Sequence, residues 1–216
     1  MTKTPSYKIR LRFSKTDRLR FIGHLDFLRI FQQMVRRSGL PVAYSQGFNP
    51  HQILSFALPL PLGMASINDY ADISFVEEVA AEEIVSRLNH GAPQGLTVSA
   101  AYQPEGAAAA AAVIVADYSL ATATPVEDAI NQVLASTEIV IPKKTKSGIK
   151  DTDIRPDVLA LQQCDGYVKM QLSAGSSKFI NPLLVAQQIL PTAPCVSNIA
   201  RLELYKTCPG GGITPL

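Results

Sequence analysis

Residues 7–13, Tyr-Lys-Ile-Arg-Leu-Arg-Phe, and residues 24–38, His-Leu-Asp-Phe-Leu-Arg-Ile-Phe-Gln-Gln-Met-Val-Arg-Arg-Ser, decide the fold class. The first stretch alternates strictly between apolar and basic residues. A period of two predicts a strand with Ile9, Leu11 and Phe13 turned to a core and Lys8, Arg10 and Arg12 turned to solvent. The second stretch changes period. At 100° per residue, Phe27, Leu28, Ile30, Phe31, Met34 and Val35 share one arc of a helix. Asp26, Arg29, Gln33, Arg36 and Arg37 share the opposite arc, and Gly39 is placed to stop the helix.

Working outward, residues 41–46 and 52–58 read as extended segments around a stiff turn, Gly47-Phe48-Asn49-Pro50. Residues 70–76 read as a strand, 80–89 as a helix and 96–102 as a closing strand. That order, β-α-β-β-α-β, is the split βαβ pattern of ferredoxin-like units. Six alanines within residues 105–112 read as a linker, with a helical turn as the alternative. The order then restarts. Residues 113–123 predict a strand and Thr124-Pro125-Val126-Glu127 a capping box. A helix to 135 and a strand at 138–141 follow. Residues 158–163 and 167–172 predict a hairpin about Asp165-Gly166, Asn181-Pro182 opens a helix to 190, and 199–205 is a last strand. The expectation is an α+β protein of two tandem ferredoxin-like βαββαβ units. They span 1–104 and 113–207, joined by the linker, with an insertion at 142–157 and a flexible tail at 208–216.

Composition sets bounds on what this chain does. Of its 216 residues 47% are apolar and 18% charged, which describes a globular chain. No apolar run reaches the roughly 20 residues of a membrane span, and the start carries no secretory signal pattern. Cys164, Cys195 and Cys208 are an odd number at wide spacings, suiting neither a disulfide framework nor a metal knuckle. The expectation is a cytoplasmic protein with no cofactor or metal of its own. Net charge is only +2, yet residues 1–60 hold ten basic residues against two acidic ones. Such a block suits a phosphate-bearing partner and equally a solvated face.

The candidate site follows from that block. Arg18, Arg20 and His24 precede or open the first helix, where the positive helix end attracts anions. Arg29, Arg36 and Arg37 line its polar arc, and guanidinium forks match phosphate oxygens. The 47–50 turn aims Asn49 and His51. Arg10 and Arg12 join from the strand, and Lys143, Lys144, Lys146, Lys150 and Arg155 from the basic insertion. His24, Asp26 and His51 are the candidates for acid–base chemistry; packing or capping would account for a lone His24, and nearby Arg18, Arg20 and His51 turn the reading toward function. The chain carries no Walker loop, GxGxxG, HExxH, GxSxG or CxxC. The three-cysteine cradle of radical S-adenosylmethionine (SAM) enzymes and the stacking motif of RRM domains are absent as well.

The run from Arg20 to Phe75, with its His-Leu-Asp, Arg-Arg-Ser-Gly-Leu-Pro and Gly-Phe-Asn-Pro-His segments, resembles the radical-SAM-linked proteins. These form an uncharacterised group encoded beside or fused to a radical SAM protein. Residues 151–161 and 179–190 resemble that group's second half. Gly23 stands where the group's pattern has serine, which removes any hydroxyl role there. The resemblance implies a radical SAM partner in trans and a setting near RNA metabolism. The function expected is an accessory module that faces RNA. The alternatives are a metal-independent RNA endonuclease with His24 as general base and a subunit that binds only protein.

Overall fold

The computed structural model describes residues 7–145, 148–175, 178–190, 192 and 194–216. The chain runs β1 (Tyr7–Lys15), a 3-10 turn (Asp17–Phe21), α1 (His24–Ser38), β2 (Leu54–Phe56), β3 (Ala65–Phe75), α2 (Ala81–His90) and β4 (Leu96–Tyr102). After these come α3 (Ala109–Ala112), β5 (Val115–Ala121), α4 (Glu127–Ala135), β6 (Val140–Thr145) and β7 (Gly148–Asp153). Then follow β8 (Val158–Cys164), β9 (Tyr167–Ser173), α5 (Pro182–Ile189), β10 (Ile199–Thr207) and β11 (Ile213–Pro215).

Among the described residues the fold is α+β, built on one large and mostly antiparallel sheet in the order β4-β1-β3-β10-β5-β9-β8, with β2 on β3 and β11 on β10. Two separate four-stranded sheets are what the sequence pattern predicts, and here the expectation is corrected. The reason lies in unequal strand lengths. β3 has eleven residues and β2 only three, so β2 covers just Ala71 to Ile73. The first residues of β3 are left with free ladder groups, and unpaired strand edges recruit partners. β10 takes them in parallel, Ala200 opposite Ala65 and Arg201 opposite Ser66.

The helix prediction for His24–Ser38 holds, ending at Gly39 in the left-handed region at φ +63°. Phe27, Phe31, Met34 and Val35 are buried, while Asp26, Arg29, Gln33, Arg36 and Arg37 are exposed. Phe13, Phe27, Phe31 and Phe56 meet as one aromatic group with ring centroids 5.2–6.1 Å apart. Such pairs add to burial by edge-to-face attraction. They form the core under α1 and α2, with Leu11, Ile73, Ile84 and Val98. A second core lies under α4 and α5 and reaches across the sheet to Met64 and Tyr70.

Several local expectations change. Arg10 is fully buried, because the opposite face of β1 and β3 is covered rather than solvated. The cover is the alanine segment: α3 docks there with Ala109 buried, its N–H donating to Asp72 at 2.8 Å. The insertion at 142–157 is largely a separate two-stranded hairpin, β6 on β7. Thr124 does not cap α4; a partner comes instead from β8, where the Gln163 side-chain oxygen Oε1 accepts from the N–H of the N-cap residue Val126. The tail expected to be free returns as β11, and Leu216 is buried, accepting from the Tyr102 hydroxyl at 2.7 Å. Asn181 does cap α5 as its sequence predicts, accepting from the Leu183 N–H.

Candidate functional site

The basic residues of the first sixty divide into two populations. One is spent on bonds that hold segments of the fold together. Arg10 donates through Nε and Nη2 to Asp72 at 2.8 and 3.2 Å and through Nη2 to the Ala107 carbonyl at 3.1 Å. Arg20 donates to the Gly63 carbonyl at 2.7 Å and to the Ser197 carbonyl, tying the 3-10 turn to the far half of the chain. Arg37 closes on the Gly91 carbonyl beyond α2. Arg155, from the second half, bonds the carbonyls of Leu134, Ser136 and Val158. A planar fork of donors suits these irregular stretches, whose carbonyls have no ladder partner.

The other population faces solvent. Lys8, Arg18 and Arg36 are exposed, and Arg29 is exposed in a 2.8 Å pair with Asp26. An exposed i,i+3 pair is worth only a few tenths of a kcal/mol, so Arg29 remains available. Arg12 is half-buried and donates to Ser99. In the hairpin, Lys143 and Lys144 fall on β6 with Lys150 opposite Lys143 on β7, while Lys146 lies outside the described residues.

His24 and His51 line different cavities. The His24 ring stands edge-on to Phe56, 5.7 Å between centroids. Beneath it a void of about 10 Å³ is bounded also by Lys15, Phe27 and Asp69. Lys15 was not singled out by its sequence context. Its side chain is buried, with Nζ donating to the Ile22 carbonyl at 2.8 Å and lying 4.6 Å from the centre of the Phe27 ring. Burial pulls its ammonium pKa below the ordinary lysine value. Nearby Asp69 opposes that shift and Arg201 adds to it. Asp69 is itself held by Arg201, fully buried, at 2.6 Å. The void has room for about one water molecule and for no substrate group.

His51 belongs to a built loop. Its ring Nδ1 lies 2.8 Å from Ser45 Oγ, and its backbone N–H donates to the same oxygen at 3.1 Å. The N–H of Ser45 returns a bond to the His51 carbonyl, and the Gln52 amide donates to the Gln32 carbonyl on α1. Ser45 is therefore a turn lock rather than a nucleophile, leaving His51 Nε2 toward solvent. Gly47, at φ +131°, permits the turn. At its tip Phe48 is wholly exposed, beside exposed Asn49, with exposed Tyr44 at the loop's base. The turn was legible in the sequence; the exposure of Phe48 was not, since an aromatic in an apolar segment ordinarily packs.

Between this loop and α3 lies a cleft of about 330 Å³, lined by Lys8, His51, Ser55, Asp72, Ser74 and Ala108 among others. Among the described residues no helix is long and apolar enough to cross a membrane, and no group of three or more His, Cys, Asp or Glu side chains gathers as a metal site. Comparison with protein families finds a match over residues 8–182 to one described as an uncharacterized protein conserved in bacteria, DUF2344. No curated protein matches the chain.

Proposed function

This chain belongs to the DUF2344 family, and we propose that it is a non-catalytic accessory module that presents single-stranded RNA to a radical SAM partner. The observation that carries the reading is Phe48, wholly exposed at the tip of a locked loop whose base is anchored to α1 at Gln32. Arg29 and Arg36 flank Gln32 one turn to either side, both exposed. An exposed aromatic on a loop anchored between two exposed arginines offers a face for a base and forks for neighbouring phosphates. The scaffold reads as two ferredoxin-like units. In chain order the strands of the first half lie 4-1-3-2 and those of the second repeat that order as β10-β5-β9-β8. The radical SAM partner rests on the sequence resemblance of residues 20–75, 151–161 and 179–190 alone.

Fluorescence anisotropy with a labelled single-stranded RNA tests the reading. Losing one stacked base costs roughly 1–3 kcal/mol, so Phe48→Ala should weaken binding at least about fivefold at every salt concentration. Arg29→Gln with Arg36→Gln removes two phosphate contacts and should make the log–log salt slope shallower by about 1.4. Arg37 is left in place so that its bond to Gly91 continues to hold α2. Affinity and slope unchanged in both variants would leave this face a solvated surface.

One observation favours a second reading, cleavage with His24 as general base: Lys15, with its lowered pKa, bounds the same void. The accessory reading expects the isolated chain to leave RNA intact without metal. Cleavage that yields 2′,3′-cyclic ends and disappears in His24→Ala would replace it with the enzyme.

A further inference from the structure

The cleft beside the 44–52 loop is floored by one face of the sheet, and strand register places its groups. Lys8 on β1 lies directly opposite Ser74 on β3. Asp72, two residues earlier on β3, lies between Arg10 on β1 and Ser55 on β2. Residues two apart share a face, so Lys8, Ser74, Asp72 and Ser55 form one polar floor. α3 walls it at Ala108 and the loop walls it at His51.

The chemistry of that floor is lopsided. The Asp72 carboxylate is fully engaged, accepting two bonds from Arg10 and one from the Ala109 N–H. Its charge is neutralised by a guanidinium that is itself buried. By contrast, the Lys8 ammonium and the Ser55 and Ser74 hydroxyls make no hydrogen bond among the described residues. Ser74 does so while only 6% exposed. Its oxygen opens into the cleft rather than being sealed away without a partner, so water or a ligand can bond to it there. His51 Nε2 is free because Nδ1 is taken by Ser45. The groups open to a ligand are thus one cation, one imidazole edge and two hydroxyls around about 330 Å³, within the roughly 300–1,000 Å³ of small-ligand sites.

We infer that this cleft holds a single nucleotide of the bound RNA strand, with Lys8 and His51 on its phosphate and Ser55 and Ser74 on its base or ribose. The inference deepens the RNA-presenting reading and rests on it for the choice of ligand. The volume suits one nucleotide rather than a run of them, and the wall that carries His51 also carries the exposed Phe48 for the neighbouring base.

The test uses the full chain and known probes: each ribonucleoside 5′-monophosphate, inorganic phosphate and a short single-stranded RNA, titrated calorimetrically. At least one nucleotide should bind more tightly than inorganic phosphate. Lys8→Gln and Ser74→Val should each weaken that nucleotide by about tenfold, the loss of one hydrogen-bonding partner. Ser55→Ala, a change on the short edge strand that leaves both cores intact, should weaken it as well and guards against misfolding at Ser74. Nucleotide binding without any affinity for RNA would support the cleft and overturn the RNA-presenting module. If Arg29→Gln with Arg36→Gln weakens RNA while no nucleotide binds, the module stands and the cleft inference falls. Equal binding of phosphate and every nucleotide, insensitive to Ser55→Ala and Ser74→Val, would overturn it too.

Discussion

Replacing Arg10 by Met separates a structural role for this arginine from the surface role its sequence position suggests. Arg10 is fully buried and Asp72 is 4% exposed, with Nε to Oδ1 at 2.8 Å and Nη2 to Oδ2 at 3.2 Å. Nη2 also holds the Ala107 carbonyl, and Oδ2 holds the Ala109 N–H, so the pair clamps α3 to the sheet. Met fills much of the arginine's apolar volume but leaves the Asp72 carboxylate buried with one neutral donor. Breaking a buried pair from one side costs about 3–5 kcal/mol. For a chain of this length that corresponds to a fall in Tm of about 6–20 °C. Asp72→Asn should cost a similar amount, since the guanidinium is then the uncompensated charge. The double variant removes both charges while the Asn carbonyl still accepts from Ala109, so its cost should fall short of the sum by about 2 kcal/mol or more. Urea titration followed by circular dichroism measures all three, with an unchanged m-value as the check that only stability moved. A loss below about 1 kcal/mol in Arg10→Met, or strictly additive variants, would refute the clamp. So would intact stability accompanied by weaker RNA binding.

Two further predictions follow from the backbone and from the buried phenols. At Gly175, φ is +125° and an added Cβ would sit 2.3 Å from the Val113 carbonyl oxygen, so Gly175→Ala should cost at least about 2 kcal/mol in the same titration. A variant as stable as wild type would mean that the approach of the 113–114 and 174–175 segments is not required. Burial raises the pKa of Tyr70, Tyr102, Tyr118 and Tyr205 above 10.0, helped at Tyr70 by its bond to Glu203 and at Tyr205 by its bond to Asp117. The fold thus keeps these phenols neutral while the unfolded chain ionises them. Their contribution is complete below the unfolded pKa and is lost as pH climbs beyond it. Urea midpoints should therefore fall steadily above about pH 10, less steeply in Tyr70→Phe. Midpoints that stay level there would contradict the burial argument.

What could be seen in the sequence was whatever one element decides by itself. The amphipathic arc of α1 needed only a period and a solvent-facing side, and every polar residue assigned to that side is exposed. Arg10 was hidden because strand alternation defines two faces without saying whether both are covered; its cover is α3, about a hundred residues away. Lys15 was available to the same reasoning. Two residues beyond Phe13, parity alone puts it on the buried face, and only its charge argued otherwise. The fusion into one sheet had no such signal, since it turns on the shortness of β2 and on two residues of β10. The cleft was equally invisible, because register across β1, β3 and β2 brings Lys8, Ser74 and Ser55 together from three distant segments.

If the chain presents RNA as proposed, the division of the cations also limits how strongly the strand is held. Ten basic residues among the first sixty would neutralise up to ten phosphates if all faced the strand, a log–log salt slope of roughly −7. The structure withdraws several of them. Arg10 and Lys15 are buried, and Arg20 and Arg37 are committed to carbonyls. Each of these would have to break a bond that holds two segments together before it could meet a phosphate. Lys8, Arg18, Arg29 and Arg36 carry no such cost, since the Asp26 partner of Arg29 is itself exposed. Three or four contacts give a slope of roughly −2 to −3. On the RNA-presenting reading, electrostatics on that scale cannot hold a strand tightly alone, so the stacking face of Phe48 and the hydroxyls of the cleft would supply the remainder. A measured slope near −7 would mean that the tied arginines let go on binding or that the lysines of the β6–β7 hairpin join the contact.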